Sequence, residues 1–96
     1  MSPKELLTLR LLIDNPKGLY GSEFVSISKG KLSRASIYTM LDRLVDKGYV
    51  REIVDPPTSE TAPPRTRHMI TASGAREYQR FLADQGLAIQ AGVFAR

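Results

Sequence analysis

The stretch LSRASIYTMLDRLVDKGYV, residues 32–50, has the pattern of an amphipathic helix that ends at a glycine. Ser33 is a favourable N-cap, and a lysine followed by Gly48 is typical of a helix C-terminus. At about 100° per residue the large apolar side chains share one arc, and small, hydroxyl and charged side chains share the other. The apolar arc comprises Ile37, Met40, Leu41, Leu44 and Val45, and the opposite arc comprises Ala35, Ser36, Thr39, Asp42, Arg43 and Asp46. We predict a helix over about residues 33–47 with one face in a core and the other turned outward.

Two further helices are predicted before this one. The sequence SPKE at residues 2–5 combines a capping box with proline at the first helical position, and DNPKG ends the helix, which spans about residues 3–14. A shorter helix is expected over about residues 20–28, where Phe24 and Ile27 are three apart and are expected to be buried. The glycine-containing sequence SKGK then makes the turn into the third helix.

The pattern changes after the third helix. YVREIV, residues 49–54, is short and β-branched and predicts a strand, and RTRHMI, residues 65–70, predicts the returning strand of a hairpin. Between them DPPTSETAPP, residues 55–64, has four prolines and predicts an exposed loop. Thr71 is expected to cap a final helix with a short coiled-coil-like seam. The seam comprises Ala75, Tyr78, Leu82, Gln85 and Ile89.

Three helices followed by a two-stranded hairpin form the element order of a winged helix-turn-helix. The predicted fold class is therefore mainly α with a small β-hairpin (α+β). We expect residues 1–70 to form a winged-helix DNA-binding domain, with the wing at about 50–70 and its tip at 55–64. Residues 71–96 are expected to form a C-terminal helix. In such a domain the third helix enters the DNA major groove and the hairpin flanks it.

The net charge of +4 is concentrated in one segment. The basic and acidic residues balance outside residues 29–51, and within that segment six basic residues face Asp42 and Asp46. The six are Lys29, Lys31, Arg34, Arg43, Lys47 and Arg51. Such a local positive field attracts polyanions, although a solvated basic loop is an equal alternative on charge alone.

Composition excludes several kinds of site. The chain has no cysteine, so disulfides and thiolate metal sites are excluded, and the single His68 cannot form a histidine-rich metal cluster. No paired carboxylates, activated nucleophile or phosphate-cradling glycine loop is found, so we expect neither an enzyme nor a cofactor. His68 is expected to pack within a strand. The N-terminus has no uninterrupted apolar region, which favours a soluble cytoplasmic protein that associates with the nucleoid when bound to DNA.

Three motifs resemble the PadR-like family of transcriptional regulators. LYGSEFVS (residues 19–26) is similar to the tyrosine-glycine opening of that family's second helix. SRASIYTMLDRLVDKGYV (33–50) resembles its recognition helix, and RTRHMITASGAREY (65–78) resembles its entry to the last helix, although Arg67 and His68 replace residues that are commonly aromatic. The resemblance covers roughly residues 5–82. It implies a dimeric winged-helix DNA binder, usually a repressor, whose C-terminal helix makes the dimer.

The resemblance and the residues together give the candidate DNA contacts. By position, the resemblance assigns Ser36, Tyr38, Thr39 and Arg43 to the recognition surface and Arg65 and Arg67 to the base of the wing. The helix start and the positive segment add Lys31, Ser33 and Arg34. Several have a structural alternative: the hydroxyls can instead bond to their own helix, Arg43 has acidic neighbours for ion pairs, and Tyr38 lies at the core edge.

The C-terminal stripe Tyr78, Phe81, Leu82 and Ile89 either covers helix one within the subunit or forms an intermolecular seam. We favour the second, a homodimer, because a complete three-helix core leaves little for a further helix to bury. The predicted function is a sequence-specific double-stranded DNA-binding regulator, a repressor acting on a palindromic operator. A small-molecule effector is not expected. The alternative is a winged-helix protein-interaction module, which large apolar anchors on the outward face of helix three would favour.

Overall fold

The computed structural model describes the backbone of residues 1–94 and the side chains of residues 1–84. It has four helices and one three-stranded antiparallel sheet, which together form a mixed α+β winged-helix architecture. The predicted fold class is therefore confirmed, with one additional strand. The elements are α1 (Pro3–Asp14), β1 (Leu19–Tyr20), α2 (Gly21–Ile27), α3 (Arg34–Asp46), β2 (Val50–Asp55), β3 (Arg65–Ile70) and α4 (Ala72–Phe94).

Helix α1 begins with the predicted capping box. The Ser2 hydroxyl accepts the Glu5 backbone N–H at 3.2 Å, and the Glu5 carboxylate accepts the Ser2 N–H at 2.9 Å. The hydrogen bond from the Ser2 backbone lowers the pKa of Glu5, because it stabilises the charged carboxylate. The helix ends at Asp14, as the DNPKG sequence predicts.

The short helix α2 corrects one burial prediction. Phe24 is fully buried as expected, but Ile27 is 44% exposed. The fully buried residue is instead Leu32, in the turn that leads to α3. The chain reverses at Lys29 and Gly30, which have positive φ of 55° and 84°, so Leu32 rather than Ile27 reaches the core.

Strand β3 is the centre of the sheet, with β1 and β2 as its two neighbours. Both pairs are antiparallel, and His68 of β3 lies opposite Leu19 on one side and Glu52 on the other. The sequence predicted only the two-stranded hairpin. Strand β1 was missed because two residues are too few for a period-two pattern.

One hydrophobic core joins the helices to the sheet. Its buried members are Leu9, Leu11, Leu12, Leu19, Phe24, Leu32, Ile37, Met40, Leu41, Leu44, Val50 and Tyr78. Four of the five apolar residues predicted for α3 are buried, and the fifth, Val45, packs against the core while partly exposed. This burial fixes which face of α3 is turned outward.

Helix α4 begins against the end of α3. The Thr71 hydroxyl accepts the Gly74 N–H at 3.0 Å and donates to the Gly48 carbonyl at 2.6 Å, so the predicted cap is confirmed. The Cβ of any side chain at residue 74 would clash with the Tyr49 carbonyl oxygen. Glycine is required here for close backbone approach, a reason that helix propensity alone does not reveal.

Candidate nucleic-acid interface

The turn between α2 and α3 sets the direction of the third helix. The Ser28 hydroxyl is buried, where it accepts the Leu32 backbone N–H at 3.0 Å and donates to the Val25 carbonyl at 3.2 Å. Together with the buried side chain of Leu32, these bonds anchor the turn on both sides. Helix α3 is thus attached firmly to α2, as a helix inserted into a groove requires.

The outward face of α3 is polar and has small side chains near its N-terminus. Arg34, Ala35, Thr39 and Arg43 are all exposed. Neither arginine belongs to any ion pair among the described side chains, so the expected alternative pairing of Arg43 with Asp42 or Asp46 is not formed. Their guanidinium donors face solvent and are available to an anionic partner.

The hydroxyls at the start of α3 bond to their own helix. The Ser33 hydroxyl accepts the Ser36 N–H at 3.2 Å, and the two side-chain oxygens are 2.7 Å apart. Both serine hydroxyls therefore make the bonds within their own helix that the sequence offered as the alternative to DNA contact. Their arrangement caps the helix and keeps both serine side chains close to its first turn.

Tyr38 lies at the edge between the buried and outward faces of α3 and is 48% exposed. Its ring covers the first residue of α2, where a Cβ on Gly21 would lie 2.5 Å from the Tyr38 hydroxyl oxygen. Gly21 therefore lets the hydroxyl end of the ring approach α2 closely, and the side chain remains about half exposed. Gly21 belongs to the LYGSEFVS motif, but the sequence alone did not show that it contacts Tyr38 of another helix.

The lysines of the positive segment differ in their surroundings. Lys31 is exposed in the turn before α3. Lys47, at the other end of the helix, lies 3.6 Å from the Glu5 carboxylate of α1. Lys47 is thus the one basic residue of the positive segment that forms an ion pair among the described side chains.

The two candidate arginines of the wing have different environments. The Arg65 guanidinium lies over the Tyr20 ring, 3.7 Å from its centroid, and is exposed. The Arg67 side chain is 29% exposed and donates to Asp55 at 3.2 Å and to the Lys17 carbonyl at 2.5 Å. Arg67 therefore holds the sheet to the segment before β1, whereas Arg65 keeps its donors at the surface.

Tyr20 and Asp55 complete this group of side chains, and sequence analysis assigned neither a role there. The Tyr20 hydroxyl donates to the Asp55 carboxylate at 2.5 Å, which raises the pKa of Tyr20 because the protonated phenol is the donor. Asp55 thus accepts from both Tyr20 and Arg67. Only the pairing of β1 with β3 reveals this arrangement, since Tyr20 and Asp55 are 35 residues apart.

A cleft of about 470 Å³ lies between α3 and the sheet. Its walls are Tyr20, Gly21, Ser22, Arg34, Tyr38, Asp42, Glu52, Arg65, Thr66 and His68. The arginine at the start of α3 and the exposed arginine of the wing therefore border one open space. Asp42 and Glu52 on the same walls make the cleft mixed in charge.

His68 packs within the sheet, as expected. Its side chain is 5% exposed, and its Nε2 is 3.6 Å from a carboxylate oxygen of Glu52, which is itself 47% exposed. Burial lowers the pKa of His68, and the carboxylates of Glu52 and Asp42 oppose this effect. Because Glu52 is half in water and too distant for a hydrogen bond, burial dominates and the neutral imidazole is favoured.

The wing tip, residues 56–64, is mostly exposed and has one acidic residue, Glu60. The other acidic residue expected there, Asp55, ends β2 and is bound to Tyr20 and Arg67. The stem and the tip of the wing therefore differ in charge and in their side-chain contacts. The stem presents Arg65, and the tip presents no basic side chain.

The C-terminal stripe is partly used within the subunit. Tyr78 is 8% exposed in the core, with Leu82 packed against that core, so the premise that α4 has little to bury in its own subunit is wrong for these two residues. Phe81 is partly exposed. Ile89, the remaining candidate, lies outside the side chains that the structure describes.

Two other features bear on the kind of site. No cluster of three potential metal-ligating side chains occurs among the described residues. Within the same part of the chain, no helix combines the length and apolar character needed to cross a membrane.

Comparison with known proteins identifies relatives in structure only. No protein-family model matches the chain, and no curated sequence does. A solved structure of the multiple antibiotic resistance repressor MarR is similar over all of this chain, with a TM-score of 0.74 and 17% identity. The chain spans only 64% of that protein's length.

Two other solved structures match most of their own length. A candidate transcriptional regulator from Thermoplasma acidophilum has a TM-score of 0.65 and 24% identity, over 92% of this chain and 81% of that one. A PadR-like transcriptional regulator from Bacillus cereus has a TM-score of 0.64 and 20% identity, over 91% and 84% respectively. The chain therefore has the winged helix-turn-helix fold that PadR-like and MarR transcriptional regulators share.

Proposed function

We propose that the protein is a sequence-specific double-stranded DNA-binding transcriptional regulator of the PadR-like type. The observation that carries the proposal is the outward face of α3, where exposed Arg34, Thr39 and Arg43 surround small side chains. The two arginines form no ion pair with any side chain that the structure describes. A duplex major groove admits such a helix, and its base edges accept hydrogen bonds from arginine and threonine. The shared fold supports the same function.

Each candidate has a role within this proposal. Arg34, Thr39 and Arg43 contact bases or the adjacent phosphates, and Lys31 attracts phosphate without sequence preference. Ser33 and Ser36 keep the helix start compact, so the backbone approaches the duplex closely. The Tyr38 hydroxyl, at the surface beside Arg34, contacts a phosphate. In the wing, Arg65 contacts DNA and Arg67 maintains the sheet.

We further propose that the regulator is a homodimer and a repressor, with two α3 helices in successive major grooves of a palindromic operator. Helix α4 supports the dimer. It continues to Phe94, twelve residues beyond Leu82, the last described apolar residue that packs against the core. The partly exposed Phe81, and Ile89 farther along, are the proposed interface residues.

A fluorescence-anisotropy titration tests the DNA-binding role. The protein is titrated into a labelled duplex from the region upstream of its own coding sequence and into a random-sequence pool, at two salt concentrations. We expect preference for the upstream duplex and an affinity that falls steeply with salt. Absence of binding to both duplexes at low salt would falsify the proposal.

Matched variants test the assigned face. Arg34→Ala is expected to cost about 1–3 kcal/mol of binding free energy if it contacts a base, and to relax sequence preference. Arg10→Ala is the control, because Arg10 is exposed on α1 and paired with Asp14. Equal losses for the two variants would remove the α3 face from the proposal. An equal loss for Arg34→Ala on both duplexes would make Arg34 a phosphate contact.

Sedimentation velocity with and without the operator duplex tests the dimer. A species of twice the chain mass is expected for the wild type, and Ile89→Asp is expected to reduce it to the monomer. A monomer that binds DNA with full sequence preference would remove the dimer from the proposal while leaving the DNA-binding role.

The alternative, a protein-interaction module, has less support. Among the described residues the large exposed apolar side chains are Ile27, Tyr38 and Val54, on three different elements. Only Tyr38 belongs to α3, and its ring covers Gly21. Protein interfaces are centred on clustered aromatic or aliphatic anchors, which the outward face of α3 lacks over the described residues.

A further inference from the structure

We propose that Tyr20 is a positioning residue that holds Arg65 ready for a DNA phosphate, and that Asp55 and Arg67 in turn hold Tyr20. The inference rests on the proposed DNA-binding function and deepens it. It assigns different roles to two arginines that the sequence places on one face of one strand.

Asp55 binds two side chains at the base of the wing. This carboxylate accepts the Tyr20 hydroxyl at 2.5 Å and an Arg67 N–H at 3.2 Å. Arg67 also donates to the Lys17 carbonyl at 2.5 Å. Tyr20 is therefore fixed at both ends, by the backbone pairing of β1 with β3 and by its hydroxyl.

Arg67 forms an ion pair with the Asp55 carboxylate, so this acidic group neither pairs with Arg65 nor repels a phosphate strongly. The two Nη groups of Arg67 each donate one bond, to the Lys17 carbonyl and to Asp55, and its Nε is buried without a partner among the described residues. With its side chain mostly buried, Arg67 is not available to DNA. Arg65 forms no ion pair among the described side chains and is exposed.

Arg65 stacks on the Tyr20 ring. A guanidinium over an aromatic ring uses its flat face for the contact, and its N–H donors remain at the rim. A long side chain that is already ordered loses less conformational entropy when it binds. The Tyr20 ring therefore pre-organises Arg65 and leaves its hydrogen-bonding capacity intact.

Arg65 borders the same cleft as Arg34 at the start of α3. Two elements thus present guanidinium groups toward one open space beside the outward face of α3. A phosphodiester backbone that follows the rim of a major groove passes there and is the proposed ligand of Arg65.

The salt dependence of binding to the upstream duplex tests the phosphate contact of Arg65. Arg65→Gln is expected to weaken binding about tenfold and to reduce the slope of log K against log salt by about 0.9, the value for one phosphate contact. Arg10→Gln is the control and is expected to leave that slope unchanged, because Arg10 is on α1 and paired with Asp14. An unchanged slope for Arg65→Gln, or the same reduction for Arg10→Gln, overturns the inference.

A double-mutant cycle tests the role of Tyr20. Tyr20→Leu removes the ring and is expected to weaken binding in the wild type but to have no further effect in the Arg65→Gln background. Additive losses would show that Tyr20 acts independently of Arg65 and would overturn its positioning role. Circular dichroism and thermal unfolding establish that each variant is folded.

Tyr20→Phe keeps the ring and is the variant to use if Tyr20→Leu does not fold. Its expected outcome is an affinity within about twofold of the wild type, since the stacking surface remains, together with a lower unfolding midpoint from loss of the bond to Asp55. A loss as large as that of Arg65→Gln would overturn the inference. Failure of the wild type to bind DNA is a separate result, which rejects the proposed function itself.

Discussion

The outward face of α3 and the stem of the wing both present arginines, but they present them differently. On α3 the exposed Arg34 and Arg43 follow from helical period alone, because the apolar residues between them are buried. In the stem, Arg65 and Arg67 share a strand face, yet one stacks on Tyr20 and the other binds Asp55 and Lys17. A helix face is decided by near neighbours, whereas the role of a strand residue depends on which distant segments the sheet places beside it.

The largest change in stability is expected from a substitution on the buried side of α3. Leu41 is fully buried. We expect Leu41→Ala to lower the free energy of unfolding by about 2–5 kcal/mol through lost burial and a residual cavity. Thr39→Ala, on the outward face, is expected to change it by less than about 0.5 kcal/mol. Urea unfolding of the two variants measures both values, and a large loss for Thr39→Ala would contradict the assignment of the two faces.

In the wing the corresponding test is at Asp55. Asp55→Ala leaves Arg67 without its carboxylate and Tyr20 without its acceptor, and is expected to cost about 1–3 kcal/mol of unfolding free energy. Glu60→Ala, in the exposed tip, serves as the control and is expected to cost less than about 0.5 kcal/mol. Similar values for the two would mean that the group around Asp55 contributes little to the sheet.

A smaller effect is expected from His68 between the two regions. Its pKa is lowered by burial, so at mildly acidic pH the unfolded chain binds a proton that the native protein does not. This contribution to stability is present above the ordinary histidine pKa of 6.5 and is lost as the pH falls through it toward the lower native value. Urea unfolding from about pH 7.5 to about pH 5.5 measures this loss.

The control for that measurement is His68→Gln, which is expected to flatten the dependence in the same pH range. Glu5, whose pKa is lowered, affects stability only below its ordinary value of 4.5 and does not interfere. An increase of stability on acidification would show that attraction by Glu52 and Asp42 outweighs burial.

The smallest effect is expected at the end of α3. The Lys47 ammonium is 3.6 Å from Glu5 but about half exposed. Lys47→Gln is therefore expected to lower the free energy of unfolding by less than about 1 kcal/mol. Added salt screens the ion pair, so the difference in stability between the wild type and this variant is expected to shrink at high salt. A larger loss in thermal unfolding would make this pair a structural link between α1 and α3 rather than a solvated contact.

These contrasts also explain what the sequence predicted. The capping box of α1, the two faces of α3 and the cap at Thr71 are local patterns, and each was predicted correctly. The predicted burial of Ile27 was wrong because the left-handed residues of the turn bring Leu32 to the core instead. Strand β1, the bonds of Arg67 and the stacking of Arg65 depend on register between segments far apart in the chain, for which period and propensity contain no signal.

Strand β3 pairs with a neighbour on each side, and the loop of residues 56–64 takes no part in either pairing. The register of β3 is consequently fixed by two pairings, one with β1 and one with β2, and neither involves the loop. A change in loop length is therefore expected to have little effect on the rest of the domain. For protein engineering, the exposed Thr58 to Glu60 region is an attachment point for a fluorophore or a short peptide insertion.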